Sequence, residues 1–194
     1  MKMIVVGGVP GAGKSTAILR YAGTSGVWVL DPDRFRPRLR RRWLVHLVHQ
    51  ALLWSATLLG PRVGTLLVQD TSTRRRRREA LLRMARWRGW DVHLVLVEVS
   101  RDDALAGQAV RGRLTPAPSF ERHWNRWLRL RADLADVAVP PEVANRRDVA
   151  AVVDRLVADS VGRRGVGPDP EPLLGPSSPP GAGRLPVCAT LTVP

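Results

Sequence analysis

Residues Gly8-Val9-Pro10-Gly11-Ala12-Gly13-Lys14-Ser15 decide how the rest of the chain is read. They follow a short β-branched run at residues 3–6 and lead into a helical segment over residues 14–22. A strand that breaks into glycines and resumes as a helix is a phosphate loop by context as well as by spacing. The glycines let successive backbone N–H groups converge on one point. Lys14 can then reach the β and γ phosphates of a nucleotide, and the Ser15 hydroxyl can sit on Mg²⁺. The helix adds its positive end. Chance explains the match poorly, since Lys14 and Lys2 are the only lysines in the chain. Gly8, Pro10, Gly11, Ala12, Gly13, Lys14, Ser15 and Thr16 are therefore the candidate nucleotide-binding residues, with Ser15 also a metal candidate.

Working outward, residues 27–30 and 65–68 are short apolar strands that end at Asp31 and at Gln69-Asp70. Residues 92–99 carry Val and Leu on both faces, as in a sheet covered on both sides. Helices are expected at residues 79–88, opened by Arg74 to Arg78 and closed by Gly89, and at 104–113, 119–133 and 148–160, with a last strand at 137–139. Strand and helix alternate throughout. That predicts an α/β fold with a parallel sheet, right-handed crossovers and functional groups gathered at the carboxyl ends of the strands.

The 194 residues are 44% apolar, enough for one α/β domain with a sizeable core. Residues 1–160 are read as that domain. Residues 161–194, rich in Gly and Pro and without periodicity, are expected to form a disordered tail. Lys plus Arg number 31 against 17 acidic residues, a formal charge of +14 that favours phosphate-bearing over cationic partners. The single Cys188 excludes an intrachain disulfide, a Cys-based zinc site and a thiol nucleophile set among partners, and a reducing, cytoplasmic setting fits. The opening apolar run is shorter than a secretory core of ~7–15 residues. Residues 43–60 approach membrane-spanning length. His46, His49, Gln50 and Thr57 nevertheless fall on one side and Leu44, Leu47, Val48, Ala51, Leu58 and Leu59 on the other, which predicts a packed amphipathic helix and no membrane association.

Other residues carry chemistry. In Asp31-Pro32-Asp33-Arg34-Phe35-Arg36, Pro32 extends the preceding backbone, so Asp33 is the favoured base facing a γ phosphate, with Asp31 left as the alternative. Arg36 is placed to grip an acceptor. Asp70 after strand three reads as a metal carboxylate, and a helix cap is the rival role. Arg74 to Arg78 read as a solvated charged face, although positive charge at a helix start is electrostatically unfavourable. Arg111 and Arg113 sit where either a basic lid or an ordinary helix end would begin. All four histidines are expected to be structural, and Trp124 and Trp127, at helical spacing, to pack in the core.

Together these residues resemble the AAA-like P-loop kinases, the group of polynucleotide kinase, chloramphenicol phosphotransferase and zeta-toxin relatives. The resemblance covers residues 1–160. It rests on GVPGAGKST at residues 8–16, Asp33-x-x-Arg36, QDTSTRRRRR at 69–78, VEVSRDDAL at 97–105 and RGR at 111–113. It implies a five-stranded parallel sheet ordered 2-3-1-4-5 in a three-layer sandwich with a basic helical lid. It further implies Asp33 as general base, Arg36 on the acceptor side, and a lid arginine near Arg113 on the phosphates. The function expected is ATP- and Mg²⁺-dependent transfer of a phosphoryl group to a hydroxyl, a polynucleotide 5′-OH being one candidate acceptor. An antibiotic or nucleotide-sugar kinase and a nucleotide-dependent nucleic-acid-binding ATPase are the rivals. Residues 137–145, where relatives carry nucleobase contacts, match no such pattern, so acceptor and oligomeric state stay open.

Overall fold

The computed structural model describes residues 1–34, 41–61, 64–112, 114–134 and 137–162. The elements in order are β1 (Lys2–Gly7), α1 (Lys14–Leu19), β2 (Val27–Leu30), a 3₁₀ turn (Pro32–Arg34), α2 (Arg42–Leu59) and β3 (Thr65–Gln69). They continue with α3 (Arg75–Trp87), β4 (Asp91–Glu98), α4 (Arg101–Ala109), α5 (Ala117–Ala132), β5 (Pro141–Asn145) and α6 (Val149–Gly162).

The five strands form one parallel sheet in the order β2-β3-β1-β4-β5, as the resemblance implied. β1 is central and buried along its whole length, which explains why it reads as an unbroken apolar run rather than an alternating one. Helix α1 packs against α6, and α2 packs against α3, so the sheet lies between two helical layers. Lys2 pairs with Asp159 at 3.3 Å, and the Thr65 hydroxyl donates to Ser160 at 2.8 Å, which ties the amino-terminal edge of the sheet to α6. That helix runs to Gly162, two residues into the stretch assigned to the tail. Residues 163–194 lie outside the described residues.

Two expectations need correction. The last strand is at Pro141–Asn145, paired with Leu94 to Glu98, and not at residues 137–139. Pro141 can open this strand because Pro is tolerated at the first position of an edge strand, where no ladder donor is needed. Val137 and Val139 are buried as the chain crosses toward that edge. The α2 helix is packed on the opposite face to the one anticipated. Its buried stripe is Val45, His49, Leu53 and Thr57, spaced by four, while Leu47 and Leu58 are 58% and 46% exposed. Of the two polar members of the stripe, Thr57 has partners that permit burial. Thr57 Oγ1 donates to the Leu53 carbonyl at 2.7 Å, and the Thr57 carbonyl accepts from Trp90 Nε1 at 3.1 Å. No helix among the described residues is long and apolar enough to cross a membrane. Trp127 is buried and Trp124 stacks on Phe120, as core packing requires.

Candidate active site

The P-loop between β1 and α1 is held from below by the strand ends. Gly8 N–H donates to the Thr71 carbonyl at 3.2 Å and Asp70 N–H to the Val6 carbonyl at 3.2 Å, so the loop and the end of β3 form one unit. Gly11, at φ +90°, passes so close to α4 that a Cβ there would lie 2.0 Å from the Ala104 carbonyl oxygen. Only glycine fits that conformation and that approach. Gly13, also left-handed at φ +100°, is the N-cap of α1 and leaves the helix start open, with no side-chain cap.

Lys14 lies buried under the loop, donating from Nζ to the carbonyls of Gly8 at 2.9 Å and Val9 at 2.8 Å. Burial pulls its pKa from 10.5 down to about 8. Asp70, Asp31 and Asp33 work against that shift, and Arg111 reinforces it. The Ser15 hydroxyl and Asp31 Oδ2 are both buried and both without a hydrogen-bond partner. Ser15 sits close enough to the Asp31 carboxylate to favour its charged form without closing a hydrogen bond to it. Desolvation outweighs that effect and raises the Asp31 pKa. An unpartnered Ser15 hydroxyl at the foot of a phosphate cradle, in the cleft that Asp70 also lines, suits a hard divalent cation that takes its remaining ligands from phosphate and water. Among the described residues no group of three or more His, Cys, Asp or Glu could hold a metal ion.

Asp33 and Asp31 take different positions. Asp31 is fully buried and its Oδ1 accepts from the Asp33 N–H at 2.8 Å, fixing the turn after β2. Asp33, half-buried, lines the same cleft as Lys14, Ser15 and Asp70, a space of about 720 Å³. Asp70 is 7% exposed; its Oδ1 accepts from the Thr71 N–H at 2.8 Å and pairs with the Arg77 guanidinium. Arg111 reaches across from the end of α4 to donate to the Thr16 hydroxyl at 3.1 Å, so these two candidates meet over the P-loop. Arg36 and Arg113 lie outside the described residues.

The solvated reading of the arginine run fails for part of it. Arg77 holds Asp70, and Arg78 is buried, donating to the Ser72 carbonyl at 2.8 Å and to Glu79. Arg74 and Arg77 both line the cleft. The histidines, expected to be structural, divide by position. His46, His49 and His123 line the cleft opposite the P-loop, whereas His93 pairs with Asp91 at 3.2 Å away from it. His49 is 2% exposed with Nε2 unpartnered, and burial lowers its pKa against the pull of Asp70 and Asp31. Burial, then Arg126, Lys14, Arg74 and Arg122, lower that of His123. Sequence reading also passed over Gln108, whose Nε2 donates to the Pro10 carbonyl at 3.3 Å. It likewise passed over Arg146, which bonds the carbonyls of Gly11 and Asp103. The turn that carries Arg146 had a signal. Asn145 Oδ1 accepts from the N–H groups of Arg147 at 2.8 Å and Asp148 at 3.0 Å, an Asx turn that starts α6.

A parallel 2-3-1-4-5 sheet with this loop after its central strand defines a P-loop NTPase fold. The chain belongs to the AAA domain family, whose model matches residues 3–135. No curated protein sequence matches the chain. Solved structures share the fold at low identity. A gluconokinase from Sinorhizobium meliloti 1021 is 18% identical with a TM-score of 0.53, over 84% of this chain and 97% of that one. The tunicamycin resistance protein of Deinococcus radiodurans is 17% identical with a TM-score of 0.51, over 81% and 94%. A structure from the PezAT toxin–antitoxin system of Streptococcus pneumoniae is 17% identical with a TM-score of 0.52, over 75% and 67%.

Proposed function

We propose that the protein is an ATP-dependent, Mg²⁺-requiring kinase that transfers the γ-phosphoryl group to a hydroxyl acceptor. One observation carries this reading: an acid from the turn after β2, Asp33, shares a single cleft with the P-loop lysine and the β3 carboxylate. A hydrolase that only cycles a nucleotide has no need of a second-strand acid in that place, whereas a kinase needs a group to orient and deprotonate an incoming alcohol.

In this reading the loop amides and Lys14 hold the phosphates, and Ser15 and Asp70 hold Mg²⁺, with Asp31 steadying Ser15 from behind. Held there, Mg²⁺ would supply Lewis-acid neutralisation of the charge on the phosphates. Asp33 accepts the acceptor's hydroxyl proton as the oxygen–phosphorus bond forms and the β,γ-bridging bond breaks, leaving ADP. Arg111, joined by Arg113, neutralises charge on the transferring group, and Arg36 steadies the acceptor. His46, His49 and Gln50 form the wall of α2 that faces an incoming acceptor. The reaction belongs in the cytoplasm, where ATP is supplied. The acceptor is an alcohol, with a polynucleotide 5′-OH and an antibiotic or nucleotide sugar as the candidates to compare.

Incubation with γ-labelled ATP and a panel of 5′-OH oligonucleotides and small alcohols tests this. Label is expected on one class. ATP uptake without label on any alcohol, together with salt-dependent nucleic-acid binding, would replace the kinase by a nucleotide-dependent binding protein.

A further inference from the structure

A second cavity, of about 360 Å³, lies beside the nucleotide cleft between the start of α3 and the last two turns of α5. Arg74 lines both spaces. Thr73, Arg74 and Arg75 come from the α3 side; Arg126, Arg129 and Asp133 come from one face of α5, spaced by three and four. The α3 helix begins with no acidic residue in its first turn and no side-chain cap, so its N-terminal N–H groups and the arginines around them add positive potential to the cavity. The guanidinium groups of Arg74, Arg126 and Arg129 make no hydrogen bond or ion pair among the described residues. Thr73 is 5% exposed and its hydroxyl has no partner, although it forms part of the cavity wall. A buried hydroxyl left unpaired in a native fold calls for a ligand atom.

We propose that this cavity is a second oxyanion site, built to take a phosphate group, distinct from the P-loop. The donors approach from two sides, the start of α3 with Thr73 and the face of α5, and the several acceptor oxygens of a tetrahedral oxyanion can bridge them. Asp133 is the single carboxylate in the wall; it weakens binding and keeps exchange fast. The phosphate comes either from the acceptor, in which case the kinase phosphorylates an alcohol that already bears a phosphate ester, or from free phosphate. The site itself stands without the kinase reading; its use by the acceptor rests on it.

Inorganic phosphate, titrated calorimetrically into the full chain saturated with a non-hydrolysable ATP analogue and Mg²⁺, reads this site with the P-loop blocked. Binding is expected, weakened at least about tenfold by Arg126→Ala or Arg129→Ala and tightened by Asp133→Asn. These side chains lie on an exposed or half-buried helix face, and the opposite sign expected for Asp133→Asn separates site effects from misfolding. The nucleotide-free Lys14→Ala protein should still bind phosphate. If the wild type takes up no analogue, the kinase reading fails, while the dependence of phosphate uptake on Arg126 and Arg129 still decides the site. No phosphate uptake by the analogue-loaded protein and by Lys14→Ala, or equal affinity in the arginine variants, would overturn the proposal. Initial rates then separate the sources. With the acceptor's phosphate bound there, Arg126→Ala raises KM for a nucleoside 3′-phosphate and leaves the nucleoside unchanged. With free phosphate bound there, added phosphate alters the rate on the nucleoside, and Arg126→Ala removes that response.

Discussion

Lys14 offers the sharpest quantitative prediction, because its position under the loop has a cost that pH can read. Its pKa falls from 10.5 to about 8, chiefly by burial. A cation that binds its proton that much more weakly in the folded state destabilises the nucleotide-free fold at neutral pH by about 3 kcal/mol. The sign follows from linkage. The folded pKa lies below the unfolded one, so the stability associated with neutral Lys14 is fully present only above pH 10.5 and is lost as pH falls through about 8. Between pH 7 and pH 9 this group alone should add roughly 1 kcal/mol to the unfolding free energy. Lys14→Met removes the titration and keeps most of the volume, at the cost of the two bonds to the Gly8 and Val9 carbonyls. Urea unfolding of both proteins without nucleotide, at pH 7, 8 and 9, isolates the effect as the difference between them. Wild type should gain on the variant by roughly 1 kcal/mol over that range. Saturating Mg²⁺–ATP should stabilise wild type by about 2.7 kcal/mol at one hundred times Kd and leave the variant unmoved. A difference that stays flat with pH would refute the account of Lys14 as a buried cation waiting for phosphate.

Three further predictions follow from packing and pairing. Gly11→Ala should abolish nucleotide binding and lower Tm, since the new Cβ would lie 2.0 Å from the Ala104 carbonyl at a positive φ; thermal melts and calorimetry with ATP check both. Leu53→Ala, in the buried stripe of α2, should cost about 2–5 kcal/mol, whereas Leu58→Ala, 46% exposed, should stay within about 0.5 kcal/mol; denaturant unfolding of the pair tests which face is packed. Arg77→Ala leaves the nearly buried Asp70 without its ion-pair partner and should lower stability by about 1–3 kcal/mol, read from the urea midpoint, with Mg²⁺ restoring part of the loss.

How much could be read beforehand depended on whether the signal was local. The P-loop was legible because its residue types, spacing and flanking elements all lie within residues 3–22. The strands were legible because burial on both faces leaves continuous apolar runs. The β5 strand was not, because its prolines mask an edge position and its Val143 is exposed. The α2 face was misjudged because side-chain polarity stood in for burial, and Thr57 and His49 are buried despite being polar, Thr57 with bonds to Leu53 and Trp90. Asp33 was legible from the turn chemistry of Asp31-Pro32-Asp33. Arg77, His123 and Gln108, which line one cleft, and Arg146, which bonds the Gly11 carbonyl, were not, since these meetings depend on how distant helices pack, and no spacing along the chain encodes them.

The central claim is that Asp33 takes the proton from an alcohol while the P-loop holds the phosphates. The direct measurement is single-turnover transfer of labelled γ-phosphoryl by Asp33→Asn, with calorimetric ATP affinity determined on the same sample. The account predicts that transfer falls by at least about a hundredfold, with ATP bound as tightly as in wild type. Transfer at near wild-type rate with Asp33 replaced would contradict it.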